Sequence, residues 1–400
     1  MQSSRFNPDI MARIASFASP KTVATLMRSS RFFYHEGPKV LLEDGVTFKN
    51  EEDILVFLRF ILAEEGTRCR YLGSARFYFE GSDEDEDEES LDPDERTSLQ
   101  LSPAIAQSLV DLFREHAFPS LKTLAMERSE ELLSSVPELG EALSTLPAVE
   151  TVDLSECGPL ACNMIRGMTR LVNACLDYDM DDDVLTSQAT DMHPLLVLAN
   201  SRHSLVALQV TAFRGVLPPE LYPAPFPHAR SLTIADRSFP LLGPYVHAFP
   251  NLRQLDIPEF EGSFPIFGQD QTSIHEQNRK ELRRLGAWKL GSASGVLDKL
   301  YLSGLACEIQ DLIVFMESFA TYEMLGRLLD DSRPTKFYLR TVQPGVLQEN
   351  TGLPALLRSG GGGQLAEVEL QVEFSPDDKD IDLEAGLVSR MHVGADRHVR

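Results

Sequence analysis

Cationic side chains are in short supply in this chain. It carries 37 Lys and Arg against 61 Asp and Glu over 400 residues, a formal net charge of −24. That balance argues against a nucleic-acid binder, which needs cations over phosphates, and against docking on anionic lipid. Cysteine is also sparse. The five, at 69, 157, 162, 175 and 307, are odd in number and scattered, with no Cys-x-x-Cys pair. They read as reduced, mostly buried thiols of a cytoplasmic or nuclear protein rather than as a disulfide framework. The missing Asn-x-Ser/Thr sequon agrees with that compartment. No apolar run reaches the roughly 18 residues of a membrane span. No basic segment followed by an apolar core opens the chain, so no signal peptide is expected.

Catalytic motifs are absent in the same way, by near misses. Gly291-Ser292-Ala293-Ser294-Gly295 has Ala293 where G-x-S-x-G needs the nucleophile. His275-Glu276 lacks the second His of H-E-x-x-H, and the 360–363 glycine run has no Lys-Ser/Thr after it. Asp179, Asp181 and Asp183 imitate a calcium loop without its Gly or closing Glu. The nine histidines do not cluster with cysteines or carboxylates at metal spacing. No enzyme, cofactor or metal is expected, and a hydrolase with an unfamiliar motif is the remaining catalytic alternative.

What is present begins near the N-terminus. Asn7-Pro8 and Ser19-Pro20 are each a cap residue followed by a proline fit for the first helical turn. Ile10, Ile14 and Phe17 then fall at helical spacing, as do Val23, Leu26 and Met27 on a second helix. Gly37-Pro38 is expected to stop a third short piece over 31–36. So small a unit rarely holds a core of its own, so this apolar surface packs on the rest of the chain or waits for a partner.

Phe6-Asn7-Pro8-Asp9-Ile10, Ile14, Phe17, the stretch LMRSSRFFY and Leu41-Leu42 resemble the F-box-like proteins of higher fungi over about residues 5–48. The resemblance departs at Phe6 and Asp9, in a proline one place late, and in the lack of a Trp after Ser30-Arg31. It implies a subunit of a cullin–RING ubiquitin ligase docking on a Skp-type adaptor, without catalysis of its own. The implied adaptor contacts are Phe6, Pro8, Ile10, Ile14, Phe17, Val23, Leu26, Met27, Phe32, Phe33, Leu41 and Leu42.

Beyond a strand at 46–48 comes a helix capped by Asn50, with Glu51, Glu52 and Asp53 favourable to its dipole. Its apolar face is read as Ile54, Leu55, Leu58, Ile61 and Leu62, ending at Gly66. A loose repeat follows. FPSLKTLAM (118–126), LPAVETVDL (146–154), FPHARSLTI (226–234) and FPNLRQLDI (249–257) share a Phe/Leu-Pro prefix before an L-x-x-L-x-L pattern. Looser copies lie at Leu72/Ala75/Phe77, Leu171/Ala174/Leu176, Leu205/Leu208/Val210, Ile309/Leu312/Val314, Phe337/Leu339 and Leu365/Val368/Leu370. Helical stretches at 103–117, 130–145 and 276–285 separate them.

This alternation resembles an irregular leucine-rich-repeat solenoid, in which stacked units share one continuous core. Residues 297–314 also resemble the late portion of the same fungal proteins. The expected fold is therefore α/β: an F-box-like helical module over 1–48, then a solenoid over 49–374 with parallel strands on one face and helices on the other. An acidic insertion at 80–97 and a tail at 375–400 are expected to be disordered. Residues 80–95 hold eleven acids and no base, and Ser82 before four acids resembles an acid-directed kinase site.

If the L-x-L positions point inward, the residues between them face out. The candidate substrate contacts on that face are Asp153, Asp177, Gln209, Thr233, Gln254, Asp256, Asp311, Tyr338 and Arg340. Acids outnumber bases there, so a basic protein substrate is expected, with neither nucleic acid nor membrane as partner. The alternative is a repeat scaffold that binds proteins without a ligase role.

Overall fold

The computed structural model describes residues 7–79, 101–178, 190–213, 215–235, 241–259, 271–286, 288–316, 321–341, 353–359 and 364–372. The acidic insertion with Ser82, the calcium-loop look-alike, the 360–363 glycines and the tail lie outside them. The chain forms two compact units, Met1–Met180 and Asp181–Arg400.

The first unit begins with α1 (Pro8–Ser16) and α2 (Pro20–Ser29). Asn7 Oδ1 accepts from the Asp9 amide at 2.9 Å, and Ser19 Oγ from that of Thr22 at 3.3 Å. Each cap satisfies an amide left unpaired by the helix. Helix α3 (Arg31–Glu43) corrects an expectation, because it runs through Gly37-Pro38 instead of stopping there. A proline inside a helix costs about 3 kcal/mol through the missing amide and a clash with the carbonyl four residues back, and its ring also crowds the Cβ of the residue before it. Gly37 has none. A Cβ there would also collide with Met27, so the glycine lets α2 and α3 approach closely. Burial of Gly37 and Pro38 in that contact offsets the lost hydrogen bond.

Next come β1 (Val46–Phe48), α4 (Glu51–Ile61), β2 (Ser74–Phe77), α5 (Pro103–Glu115), β3 (Thr123–Met126), α6 (Ser129–Ser135), α7 (Pro137–Ser144), β4 (Thr151–Leu154), α8 (Pro159–Gly167) and β5 (Asn173–Asp177). Strands β1 to β5 pair in chain order, each parallel to the next. The helix expected over 130–145 is two. Pro137 pushes Val136 to φ −140°, ψ 74°, out of the helical region. Helix α4 buries Ile54, Phe57, Leu58 and Ile61, while Leu55 and Leu62 of the expected face are exposed at 37% and 41%.

The second unit contains α9 (Pro194–Val197), β6 (Ala207–Thr211), β7 (Ser231–Ala235), α10 (Gly243–Ala248), β8 (Gln254–Ile257), α11 (Gln271–Leu285), β9 (Lys289–Val296), α12 (Leu297–Leu302), β10 (Glu308–Met316), α13 (Tyr322–Ser332), β11 (Lys336–Thr341), α14 (Leu353–Ser359) and β12 (Glu367–Val372). Strands β6 to β12 again pair in chain order and in parallel. An α/β, solenoid-like repeat is thus the architecture of each unit.

The repeat pattern has a direct physical meaning. In LPAVETVDL the side chains of Val149, Val152 and Leu154 are buried. The intervening Glu150 amide bonds Lys122 O of the previous repeat, and the Val172 amide bonds Glu150 O in turn. The Phe-Pro prefix is a turn. Leu121, Ala229 and Leu252 each donate to the carbonyl of the phenylalanine three residues earlier, with Pro preset for the second turn position. Phe118, Phe226 and Phe249 are themselves fully buried. Phe226 meets Phe249 edge-on at 5.4 Å, a favoured aromatic geometry.

Side chains also tie one repeat to the next. Glu130 accepts from the Leu160 and Ala161 amides at the start of α8, where a carboxylate suits the helix dipole. His275 Nδ1 donates to Tyr301 O at 2.7 Å, its ring stacked on Tyr301 at 4.2 Å, and Asn278 donates to Leu302 O at 2.7 Å. These two α11 residues satisfy carbonyls at the end of α12.

Candidate interaction surfaces

On α1 and its C-cap three large apolar residues stand in solvent: Ile10 at 54%, Ile14 at 52% and the cap residue Phe17 at 81% exposure. They follow one another at i, i+4 and i+7 and so share a helical face. The opposite stripe is the packed one, with Ala15 fully buried. Val23, Phe33 and Leu42 lie inside the unit at 0%, 6% and 1% exposure. They hold the helices together, and a partner could reach them only if the helices parted. Leu26, Met27, Phe32 and Leu41 are half-buried. Pro8 is the first residue of α1, and Phe6 lies outside the described residues. The expected adaptor set therefore divides into an outer stripe on α1 and an inner core.

The second surface is the outward side of the strands. Burial alternates as the repeat pattern requires: Leu124 and Met126, Val152 and Leu154, Leu208 and Val210 are all inside. In the first unit one outward row runs Thr47, Arg76, Ala125, Asp153, Cys175. Asp177 stands two residues beyond Cys175 on β5. In the second unit a row runs Gln209, Thr233, Asp256, Ser294, Ile313, Tyr338, Glu369. Beside it runs Gln254, Ser292, Asp311, Lys336, Glu367. Arg340 pairs in register with Gln371 and is exposed.

Charge on these rows is less one-sided than acid counting implied. Arg76 and Lys289 are further exposed bases on the outward side, Arg76 in plain alternation between Ala75 and Phe77. Lys289 lies 3.7 Å from Glu308, and Lys336 lies 3.7 Å from Glu367. Asp256 accepts from Ser294 Oγ at 2.6 Å, and Tyr338 donates to Gln371. Acid does accumulate in the first unit. Partial burial, and then the charges of Asp153 and Glu156, hold the Glu127 carboxyl above its ordinary pKa.

The thiols of the first unit and His193 have a structural character. Burial, then the neighbouring Cys162, raises the Cys157 thiol well above its ordinary pKa. Burial pushes Cys162 up to about 11 and, with Asp153, Cys175 up to about 12. Thiols so shifted are poor nucleophiles. Burial takes His193 down to about 3, and its Nδ1 accepts from the Leu195 amide at 3.2 Å, so the ring is neutral. Ala293 of the G-x-S-x-G near miss is a fully buried strand residue of β9.

No family model matches the chain, and no curated protein does either. Among solved structures, a structural-genomics target from Bacteroides fragilis is similar over 70% of this chain and 74% of its own, at 13% identity and a TM-score of 0.28. At that score the likeness carries no argument about fold or function. Among the described residues no helix is long and apolar enough to cross a membrane.

Proposed function

We propose that the protein is a non-catalytic substrate receptor of a cullin–RING ubiquitin ligase. In this reading α1 docks on a Skp-type adaptor, and the outward strand faces receive a basic protein substrate. The observation that carries it is the exposure of Ile10, Ile14 and Phe17 along one face of α1, beside the sequence resemblance of the first 48 residues to F-box-like modules. Three large apolar side chains in water on a helix whose other side is packed are the mark of a partner surface. A repeat scaffold without a ligase role is favoured by one fact: Val23, Phe33 and Leu42 are core, which leaves a smaller docking surface than the full motif implies.

The test is Ile10→Glu with Ile14→Glu in the full chain. Both sites are exposed, so the melting temperature should stay within a degree or two. Burying an unpaired charge at an interface costs several kcal/mol, and 1.4 kcal/mol is about tenfold in affinity. Pull-down of a purified Skp-type adaptor should therefore be lost. Retained binding would remove the adaptor from the reading and leave the scaffold.

A further inference from the structure

Among the described residues, every connection between successive strands of the second unit holds an α-helix except the one from β6 to β7. A proline-rich strap takes the helix's place there. Residues 218–227 read PPELYPAPFP, with proline at 218, 219, 223, 225 and 227. The strap is fastened at several points. Leu217 and Phe226 are buried, and the Phe226 amide donates to Ala248 O at 2.7 Å. The Tyr222 ring lies 5.2 Å from that of His247 on α10, and its hydroxyl donates to Glu281 of α11 at 3.3 Å. The side chains beside these anchors face water. Val216 is 61% and Leu221 46% exposed, and Pro219, Ala224 and Pro225 are exposed as well.

The backbone of the strap is preset. Pro218 stands at φ −70°, ψ 150° and Tyr222 at φ −60°, ψ 125°, both close to polyproline II. A single 3-10 turn, Pro219–Leu221, separates them. Tyr222, Ala224 and Phe226 each precede a proline, which disfavours the helical region for them. Five positions have no amide to donate, and the amides of Leu221, Tyr222 and Phe226 already donate within the protein. These facts exclude most ways in which a peptide segment is read. Strand addition needs backbone donors along the segment. A helix laid in a groove needs anchors at i, i+4 and i+7, and one three-residue turn has none. Capture by an arginine cluster needs an acidic or phosphorylated motif, and the only carboxylate among residues 218–227 is that of Glu220.

We infer that the strap is a preformed ligand for a further partner: a protein domain whose groove is lined by aromatic side chains that stack on prolines, with Leu221 as the apolar anchor. Such grooves exploit the low entropy that a polyproline II segment has left to lose. Here the contacts of Leu217, Tyr222 and Phe226 have already ordered the segment, which lowers the cost of binding further. The strap packs on α10 and α11, on the helix side of its repeats, so it does not use the outward strand rows. It does not depend on the adaptor reading of α1.

The experiment titrates purified, isotopically labelled SH3 and WW domains with the full chain and follows the resonances of their grooves. The chains compared are wild type, Leu221→Ser and Val216→Ser/Leu221→Ser. Both sites are exposed, so the melting temperatures should agree within about a degree or two. One of the two domain classes should bind wild type through its aromatic groove. Leu221→Ser should weaken that binding roughly tenfold, the loss expected of a central apolar anchor, and the double variant should weaken it more. A synthetic peptide of residues 215–228 should displace the full chain from the groove while binding several-fold more weakly, because it is not pinned. This readout stands even where a variant fails to fold. A peptide that binds as tightly as the chain would overturn the preordering. No binding by either class would overturn the inference as a whole. Wild-type binding that neither variant weakens and the peptide does not displace would put the contact elsewhere and overturn it as well. Self-association of wild type that Leu221→Ser abolishes, with no domain bound, would give the surface to a second copy of the chain and also overturn it.

Discussion

On α1 three large apolar side chains stand in water, whereas on β3 and β4 every large apolar side chain is turned inward and the outward positions are Thr123, Ala125, Thr151 and Asp153. The helix and the strands are equally amphipathic in sequence, so amphipathicity alone does not say which face is buried. On a strand the answer is forced. Neighbouring repeats cover one face along its whole length, and a shift of one residue would invert every side chain. Helix α1 packs on α3, and the stripe turned away from that contact is exposed. The N-terminal region therefore offers an apolar surface, and the repeats offer a polar one.

The largest expected effect breaks this contrast inside the N-terminal region itself. Leu42 is 1% exposed, and its neighbour in the implied adaptor set, Ile14, is 52% exposed. Leu42→Ala should cost about 3 kcal/mol, from lost burial and the cavity left behind. Ile14→Ala should stay within about 0.5 kcal/mol. Chemical denaturation of the two single variants measures both. Similar losses would mean that the α1 stripe is packed in solution and that the contrast with the strands is false.

Much of this arrangement was legible in the sequence, and the failures share a cause. Asn7-Pro8, Ser19-Pro20 and Asn50 announced their helices because caps act through one or two local hydrogen bonds. Among the described residues, eleven of the twelve strands coincide with a recognised segment, because inward Leu, Val and Phe repeat at fixed spacing. Strand β9 was missed. Its inward positions are Leu290, Ala293 and Gly295, and small residues leave no apolar signal. The Phe-Pro prefix is replaced there by Trp288, buried and donating to Phe249 O at 2.9 Å. Gly37-Pro38 read as a stop because its rescue comes from Met27, ten residues away on another helix. Leu55 and Leu62 were assigned inward on α4 and Phe57 was not, because periodicity gives a helix face but not the direction of its neighbour. Val23, Phe33 and Leu42 stand in one set with Ile10 and Ile14 only through the F-box-like resemblance, and a motif match does not say which of its apolar positions are buried.

A smaller effect sharpens the polar side of the comparison. Asp153 is exposed, Asp256 is half-buried against Ser294, and each lies on the outward rows of its own unit. If those rows receive a basic partner, Asp153→Asn with Asp256→Asn should weaken binding of a lysine-rich peptide. The loss should be roughly tenfold at low salt, since exposed charge pairs contribute up to about 1 kcal/mol each. The salt slope should flatten as well. Equal affinity and slope in both proteins would place the basic partner elsewhere and leave the α1 surface untouched.

The smallest effect concerns protons on the same acidic rows. Glu127 titrates above its ordinary value through partial burial, then through Asp153 and Glu156. The sign of the consequence follows from linkage. A carboxyl whose folded pKa is raised binds its proton more tightly folded than unfolded, so it opposes folding once ionised. That opposition is present above the folded pKa and fades as pH falls through it toward the unfolded value. Asp153→Asn removes one of the two charges, so Glu127 should titrate at lower pH in the variant than in wild type. Its opposition to folding near neutral pH should shrink in step. Carboxyl-carbon NMR of Glu127 across the acid range reads the first, and melting temperature at pH 7 reads the second. An unmoved Glu127 titration would mean that burial alone sets it, and that the outward acids of the first unit are too well solvated to act on one another or on a partner through charge.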